Sequence, residues 1–137
     1  MDGPSFTSPD DLATPNGYSH VVDLPPGRLV WTSGQVALAA DGSGPPEGWE
    51  AQTRLVFANV GRALAAAGAR WRDVVKLTIY VVDTEGVPTI RTVRDELVDA
   101  ARPPTSSLVR VAGLVRPDLL LEVEAVAWLP PDGPGLP

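Results

Sequence analysis

Side chains with the capacity for chemistry are few in this sequence. It has no cysteine and a single histidine, His20, so a thiol nucleophile and a disulfide are excluded. A serine nucleophile needs an adjacent base, and neither a Gly-x-Ser-x-Gly turn nor a glycine-rich phosphate-binding loop occurs. The sequence therefore indicates neither serine–histidine acyl transfer nor nucleotide binding, and it predicts no metal site.

Polar side chains instead collect on one face of two predicted strands, at residues 74–82 and about 119–128. Both segments alternate between apolar and polar positions, as expected of strands with one face against a core. The opposite face would carry Lys76, Thr78, Tyr80, Glu122, Glu124 and Trp128. Such a mixed polar and apolar face in a short chain favours a closed homo-oligomer over simple solvation.

The elements that would position this face follow from the hydrophobic periodicity of the chain. The predicted helices cover residues 49–67 and 87–101, and the predicted strands cover residues 18–24, 28–33, 74–82, 106–111 and 119–128. Gly68 is suited to cap the first helix, and the Pro103-Pro104 pair is suited to end the second. The resulting order, β-β-α-β-α-β-β, predicts an α+β fold in which a mixed sheet carries two helices on one face.

Length and composition are those of a single domain over residues 1–137, with a core at about 16–128 and both ends outside it. The net charge of −6 disfavours nucleic acid as a partner, because the few arginines are scattered. No apolar run approaches the roughly 20 residues of a membrane span, and the polar start at Met1 is unlike a signal peptide. We therefore expect a cytoplasmic protein that binds neither nucleic acid nor membrane.

Several segments, in order along the chain, resemble the RidA (YjgF/YER057c/UK114) family. The aromatic-x-Ser-Gly-Gln turn of that family reads Trp31-Thr32-Ser33-Gly34-Gln35 here, and its Pro-x-Arg-Ser motif reads Pro104-Thr105-Ser106-Ser107. Further matches lie at residues 16–20, 52–54, 57–60, 66–68, 73–78 and 121–127. Each segment is a weak signal alone, whereas their order and spacing over about residues 16–128 form a specific one.

The resemblance implies a chorismate-mutase-like fold and a homotrimer with an inner barrel, whose three intersubunit clefts bind a small molecule. Family members with deaminase activity hydrolyse enamines or imines to 2-oxo acids and ammonia, without a cofactor. Their arginine holds the substrate carboxylate through two parallel hydrogen bonds. Ser106 occupies the matching position and cannot supply that geometry, so the resemblance implies a specificity altered from 2-imino acids. Arg102 and Arg110 are near in sequence but not at the family position.

The resemblance also assigns the other site residues. Glu124 matches the family's cleft glutamate and is the candidate acid–base group, because a water that attacks an imine must lose a proton. The candidates for binding substrate are Tyr18, Ser33, Ser106 and Ser107. The alternative for each is an ordinary structural role, such as a solvated strand carboxylate for Glu124 or a strand-start residue for the two adjacent serines.

Two functions remain open at this point. The first is a RidA-like enzyme that acts on an imine, an enamine or a related carbonyl compound. The second is a trimer of the same family that binds or senses a small molecule without turning it over. A pure interaction role is neither supported nor excluded by the sequence.

Overall fold

The computed structural model describes residues 2–132, and it confirms the α+β class with two helices and a mixed sheet. Its elements are β1 (Ser5–Thr7), β2 (Val21–Asp23), β3 (Arg28–Trp31), α1 (Trp49–Ala65), β4 (Val74–Val81), α2 (Val87–Leu97), β5 (Thr105–Arg110) and β6 (Leu121–Leu129). The principal sheet has the order β3-β6-β4-β5. Strands β4 and β5 are parallel and joined through α2, whereas β6 is antiparallel to both β3 and β4.

The first predicted strand is shorter than expected and lies outside the principal sheet. Strand β2 pairs instead with β1, where Phe6 is opposite Val22 in a two-stranded ribbon. The sequence places the first dozen residues outside the core, and a strand there is not predicted. The pairing satisfies backbone groups of a segment that is too short to show a period of its own.

Both helices pack on the same face of the principal sheet. Val56, Phe57, Val60 and Leu64 of α1 are buried there, together with Ile90 and Val93 of α2. The facing strand positions are the alternating apolar residues Leu77, Ile79, Val81, Leu121, Val123, Ala125 and Ala127. Their alternation leaves the residues between them on the opposite face, which no helix of the described chain covers. We call this opposite side the open face.

A β-bulge near the start of β4 changes which valine faces the core. Val74 pairs with Ala127 and Lys76 pairs with Val126, so Val75 is an extra residue with no partner of its own. Val74 belongs to the hydrophobic core cluster, whereas Val75 is buried apart from it. The simple alternation that groups Val75 with Leu77 is therefore wrong at this one position, because a bulge shifts the phase of side chains.

Trp128 is also placed differently from the sequence expectation. It is buried, and its indole Nε1 donates a 3.0 Å hydrogen bond to the carbonyl of Pro25. Gly27 lies so close that a Cβ there would overlap the indole ring. The turn between β2 and β3 therefore covers Trp128, which does not contribute to the open face.

The helix ends show one agreement and one difference. Gly68 has the left-handed φ of 79° that the sequence expects just beyond α1. Helix α2 ends at Leu97, four residues earlier than its predicted end. The Asp99 carboxylate accepts a 2.9 Å hydrogen bond from the Ala101 amide, so a side-chain turn replaces the last helical turn. Within residues 2–132, neither helix is long and apolar enough to span a bilayer.

Candidate functional site

The two adjacent serines of β5 lie on opposite faces of the sheet. Ser106 is paired with Leu77, whose side chain is in the core, so Ser106 points to the side of the helices. Ser107 is paired with Thr78 and points to the open face. Within one chain, the residues predicted to bind substrate are therefore divided between two surfaces.

Tyr18 is brought to the same surface as Ser106 by its neighbour Ser19. The Ser19 amide donates to the carbonyl of Pro104 at 3.1 Å, and its hydroxyl donates to the carbonyl of Pro103 at 2.6 Å. These bonds extend the sheet edge beyond β5 and place Tyr18 beside Ser106. Both residues line a cavity of about 200 Å³ under α2, which we call the Ser106 cavity.

Helix α2 contributes two arginines to the Ser106 cavity, and the sequence analysis did not identify either of them. Arg91 and Arg94 line it together with Ile79 and Ile90. Arg94 follows Ile90 by four residues and therefore shares the inward face of the helix. A charged residue at that spacing within the apolar stripe was the signal that could have found it.

The two arginines considered from the sequence lie elsewhere. Arg102 donates a 2.8 Å hydrogen bond from Nη2 to the carbonyl of Pro4, and its guanidinium stands 5.1 Å from the centre of the Phe6 ring. Arg110 is exposed, and its Nε lies 3.5 Å from the carbonyl of Val82. Neither lines the Ser106 cavity.

The open face holds a second group of polar side chains, which are contributed by β4, β5 and β6. The Tyr80 hydroxyl donates a 2.6 Å hydrogen bond to Oε1 of Glu124. On the same face, Lys76 Nζ donates to the Ser107 hydroxyl at 2.8 Å. A carboxylate held by a phenol, on a face that also carries an ammonium group, is an arrangement that can exchange protons with a bound molecule.

The pKa values of two groups on this face are displaced from their ordinary values. The hydrogen bond to Glu124 raises the pKa of Tyr80, with smaller contributions from burial and from the charges of Glu124 and Glu122. Burial lowers the pKa of the Lys76 ammonium. Both shifts favour the uncharged form of the side chain, which is the phenol for Tyr80 and the amine for Lys76.

We expect the Tyr80 phenol to ionise above the ordinary value of 10.0. Its contribution to stability is then fully present below pH 10, and it is lost as the pH rises through the folded pKa, because the unfolded chain releases this proton first. The phenolate absorbance of the wild type minus that of Tyr80→Phe isolates the step. Glu124→Gln, which removes the negative charge, is expected to move the step to lower pH. A Tyr80 step at or below pH 10 would contradict this assignment.

Ser33 lies away from both groups, in the turn that follows β3. Its carbonyl accepts a 3.4 Å hydrogen bond from Nε2 of Gln35, and its side chain is exposed. The adjacent Gly34 packs directly on the carboxylate of Glu122, where a Cβ would overlap that group. The turn therefore faces Glu122 rather than Glu124, and Glu122 lies on the open face as the strand alternation predicts.

His20 does not form a pair with a serine nucleophile. Its ring Nε2 lies 2.6 Å from the carbonyl of Ala13, and the ring meets that of Tyr18 edge to face at 5.2 Å. These two contacts connect residues of the loop before β2 to one another. Among residues 2–132, no three His, Cys, Asp or Glu side chains converge as ligands for a metal ion.

Comparison with known proteins places the chain among relatives of similar length. The family model described as Endoribonuclease L-PSP matches residues 9–129. TdcF of Escherichia coli (strain K12) is 37% identical over 112 residues, which cover 80% of this chain and 84% of that protein. The 2-iminobutanoate/2-iminopropanoate deaminase of the same strain is 33% identical over 112 residues, covering 80% of this chain and 85% of its own length.

Solved structures agree with these sequence matches. The crystal structure of YyfB from Yersinia pestis, described as a protein of unknown function of the conserved Rid family, has a TM-score of 0.79 and 33% identity. It covers 94% of this chain and 100% of its own. The crystal structure of E. coli TdcF with bound serine has a TM-score of 0.66 and 33% identity, over 85% of this chain and 91% of its own. The chain therefore belongs to the RidA (YjgF/YER057c/UK114) family.

Proposed function

We propose that this chain forms a cytoplasmic homotrimer whose intersubunit clefts hydrolyse, or otherwise act on, a small imine, enamine or related carbonyl compound. We further propose that its specificity is altered from that for 2-imino acids. The observation that carries the proposal is the hydrogen bond by which Tyr80 holds Glu124 on the open face. Ser106 lies on the other side of the sheet, so in the proposed trimer the cleft joins Glu124 of one subunit with Ser106 of a neighbouring subunit. The relatives named above as a deaminase and as a serine complex support a small-molecule ligand.

The open face supports the homotrimer. It carries exposed apolar side chains at Leu29, Trp31 and Val109, and 68% of the Trp31 surface is accessible in the single chain. Trp31 pairs with Val126 of β6, and Leu29 lies two residues before Trp31 on the same side of β3, so both continue the open face across β3. Covering this face with further copies would remove apolar surface from water and enclose Glu124 between subunits.

The proposed reaction is the addition of water to a carbon–nitrogen double bond. Glu124 takes a proton from the attacking water as the water oxygen bonds to the imine carbon, and it returns this proton to the nitrogen. In the resulting carbinolamine, Glu124 takes the hydroxyl proton and passes it to the nitrogen, so that the carbon–nitrogen bond breaks, ammonia leaves and a carbonyl group remains. Tyr80 fixes one carboxylate oxygen through its 2.6 Å hydrogen bond, which leaves the other oxygen for the water.

The altered specificity follows from the side chain at position 106. An arginine there would offer two parallel N–H groups and a positive charge to a carboxylate, whereas a serine hydroxyl offers one donor and no charge. A carboxylate attached directly to the imine carbon therefore loses its charge-assisted bonds at this position. We expect 2-imino acids to lose the advantage over other imines that such an arginine gives.

Ammonia release from a panel of unstable imines tests the proposal. The panel pairs 2-iminopropanoate with imines that carry no carboxylate on the imine carbon, and the uncatalysed rate is subtracted from each. We expect catalysis of at least one member of the second group, and a gain on 2-iminopropanoate in the Ser106→Arg variant. A wild type that prefers 2-iminopropanoate, with no gain from the arginine, would refute the altered specificity.

The second candidate is a non-catalytic trimer that binds or senses a small molecule through the same clefts. It is favoured by the engagement of Glu124 with Tyr80 and of Ser107 with Lys76, which stabilises these groups without a ligand. This candidate predicts saturable ligand binding in calorimetry with no ammonia from any member of the panel. The net charge of −6 disfavours nucleic acid as the ligand of either candidate.

A further inference from the structure

Lys76 is the only lysine in the sequence, and all other basic side chains apart from His20 are arginines. An arginine stays protonated in a protein, whereas a lysine can lose its proton and become a nucleophile. Lys76 lies near the start of β4 on the open face, with its side chain partly buried. Apart from the amino terminus, it is therefore the only amine of this sequence that can form a covalent bond to a ligand.

The Lys76 amine has no negatively charged partner. Nζ donates its 2.8 Å hydrogen bond to the neutral hydroxyl of Ser107. No carboxylate among residues 2–132 forms an ion pair with Nζ. Glu124 lies on the same face but is engaged by Tyr80. Lys76 therefore lacks the interaction that most favours the charged ammonium form over the neutral amine.

Uncharged side chains lie beside Lys76 on both neighbouring strands. In the register of the sheet, Lys76 is opposite Val126 of β6 and Thr105 of β5. Val126 is in turn opposite Trp31 of β3, so a row of uncharged residues crosses the open face at this level. Burial lowers the pKa of Lys76. A larger share of this amine is therefore unprotonated at neutral pH than in a lysine surrounded by water.

We propose that Lys76 is a covalent binding site for small aldehydes and ketones, which its amine captures as a Schiff base. The nitrogen lone pair attacks the carbonyl carbon, and a proton moves from nitrogen to oxygen to give a carbinolamine. Loss of water then forms the carbon–nitrogen double bond, so both amine hydrogens leave with the carbonyl oxygen. Addition of water reverses the capture. This reaction goes beyond the proposed function and does not rest on it, because it requires no turnover of an imine.

Reductive trapping with acetaldehyde and sodium cyanoborohydride tests the proposal, because the reductant converts a Schiff base into a stable secondary amine. The whole protein is treated at neutral pH, and peptide mass spectrometry locates the adducts. We expect Lys76 to be labelled at least about tenfold faster than Nα-acetyl-lysine amide in the same solution, because more of its amine is unprotonated. The adduct at the amino terminus serves as an internal reference for the reagent.

Unfolding the wild type in guanidinium chloride is expected to slow the labelling of Lys76 to the rate of the model compound, because it returns the amine to water. Lys76→Arg is the matched variant, since it keeps the positive charge and cannot form a Schiff base, and only its amino terminus should be labelled. Labelling of folded Lys76 no faster than the model compound would overturn the proposal. The comparison of folded and unfolded wild type decides the matter even if Lys76→Arg does not fold.

Val126→Glu tests the cause of the reactivity, because it places a carboxylate directly opposite Lys76 on the same face. A carboxylate there favours the ammonium form, so we expect labelling of Lys76 to slow about tenfold or more. Val126→Gln is the control, since it has nearly the same shape without the charge, and it should retain most of the wild-type rate. Equal labelling in these two variants would refute the missing countercharge as the cause.

The same experiment distinguishes carbonyl capture from imine hydrolysis. Fast labelling of Lys76, with no ammonia released from any imine, would support the capture and refute the hydrolase. Ammonia release that is unchanged in Lys76→Arg, together with no labelling of Lys76 in the wild type, would refute the capture and leave the hydrolase standing.

Discussion

Glu124→Gln is expected to lower the rate of ammonia release about 100- to 10,000-fold, which is the range for loss of a general acid–base group. The amide keeps an oxygen that can accept the hydrogen bond from Tyr80, now 2.6 Å from the carboxylate, so the side chain is expected to stay in place. The amide of the variant cannot take a proton from water at neutral pH. The loss should therefore fall on kcat, measured by steady-state ammonia release from the imine that the wild type handles best.

Glu122→Gln is the matched control for that experiment. Glu122 lies two residues away on the same strand face and carries the same charge, but the turn at Gly34 packs on its carboxylate. We expect a much smaller decrease in rate from this variant. Equal rates in the wild type and in Glu124→Gln would remove Glu124 from the mechanism, and a larger loss in Glu122→Gln would assign the acid–base role to Glu122.

Leu77→Ala is expected to lower the free energy of unfolding by about 2–5 kcal/mol, the range for truncating a buried leucine. Leu77 is fully buried at the centre of β4, where it pairs with Ala125 on one side and with Ser106 on the other. The cavity left by the truncation would lie between the sheet and both helices. Urea denaturation at a fixed protein concentration measures the change, since association also affects apparent stability.

Val115→Ala is the control for the stability experiment, because 82% of the Val115 surface is exposed in the single chain. We expect its free energy of unfolding to stay within about 0.5 kcal/mol of the wild type, as for most surface substitutions. A loss in Leu77→Ala no larger than that in Val115→Ala would mean that the core is not organised around β4. The two variants together also separate packing from any general effect of removing an apolar side chain.

The periodicity of the sequence predicts the elements that build the core, and the physical reason is local. In β4 and β6 every second residue is apolar, and in α1 the apolar residues recur at helical spacing, so each segment specifies the face that it buries. Leu77, Ile79, Val123 and Ala125 are buried as this pattern predicts. The same reasoning does not find β1, because three residues are too few to show a period.

Features that depend on packing between distant segments are not predicted. The bulge at Val75 shifts the phase of β4, and the turn containing Gly27 buries Trp128, although both residues fit a regular alternation in the sequence. The end of α2 likewise depends on the side chain of Asp99, which competes with the helix for backbone amides. In each case a specific tertiary or side-chain contact overrides the structure that the local sequence pattern predicts.

The sequence by itself determined the family, the α+β class, and the presence of a serine at the position of the family arginine, because these depend on residue order and on local periodicity. Only the tertiary structure decided that Ser106 and Ser107 face opposite sides of the sheet, that Tyr80 holds Glu124, and that Arg94 lies beside Ser106. Arg94 and Ser106 belong to a helix and a strand separated by a turn and two prolines. Their proximity arises from the packing of α2 on the sheet, which no local pattern in the sequence records.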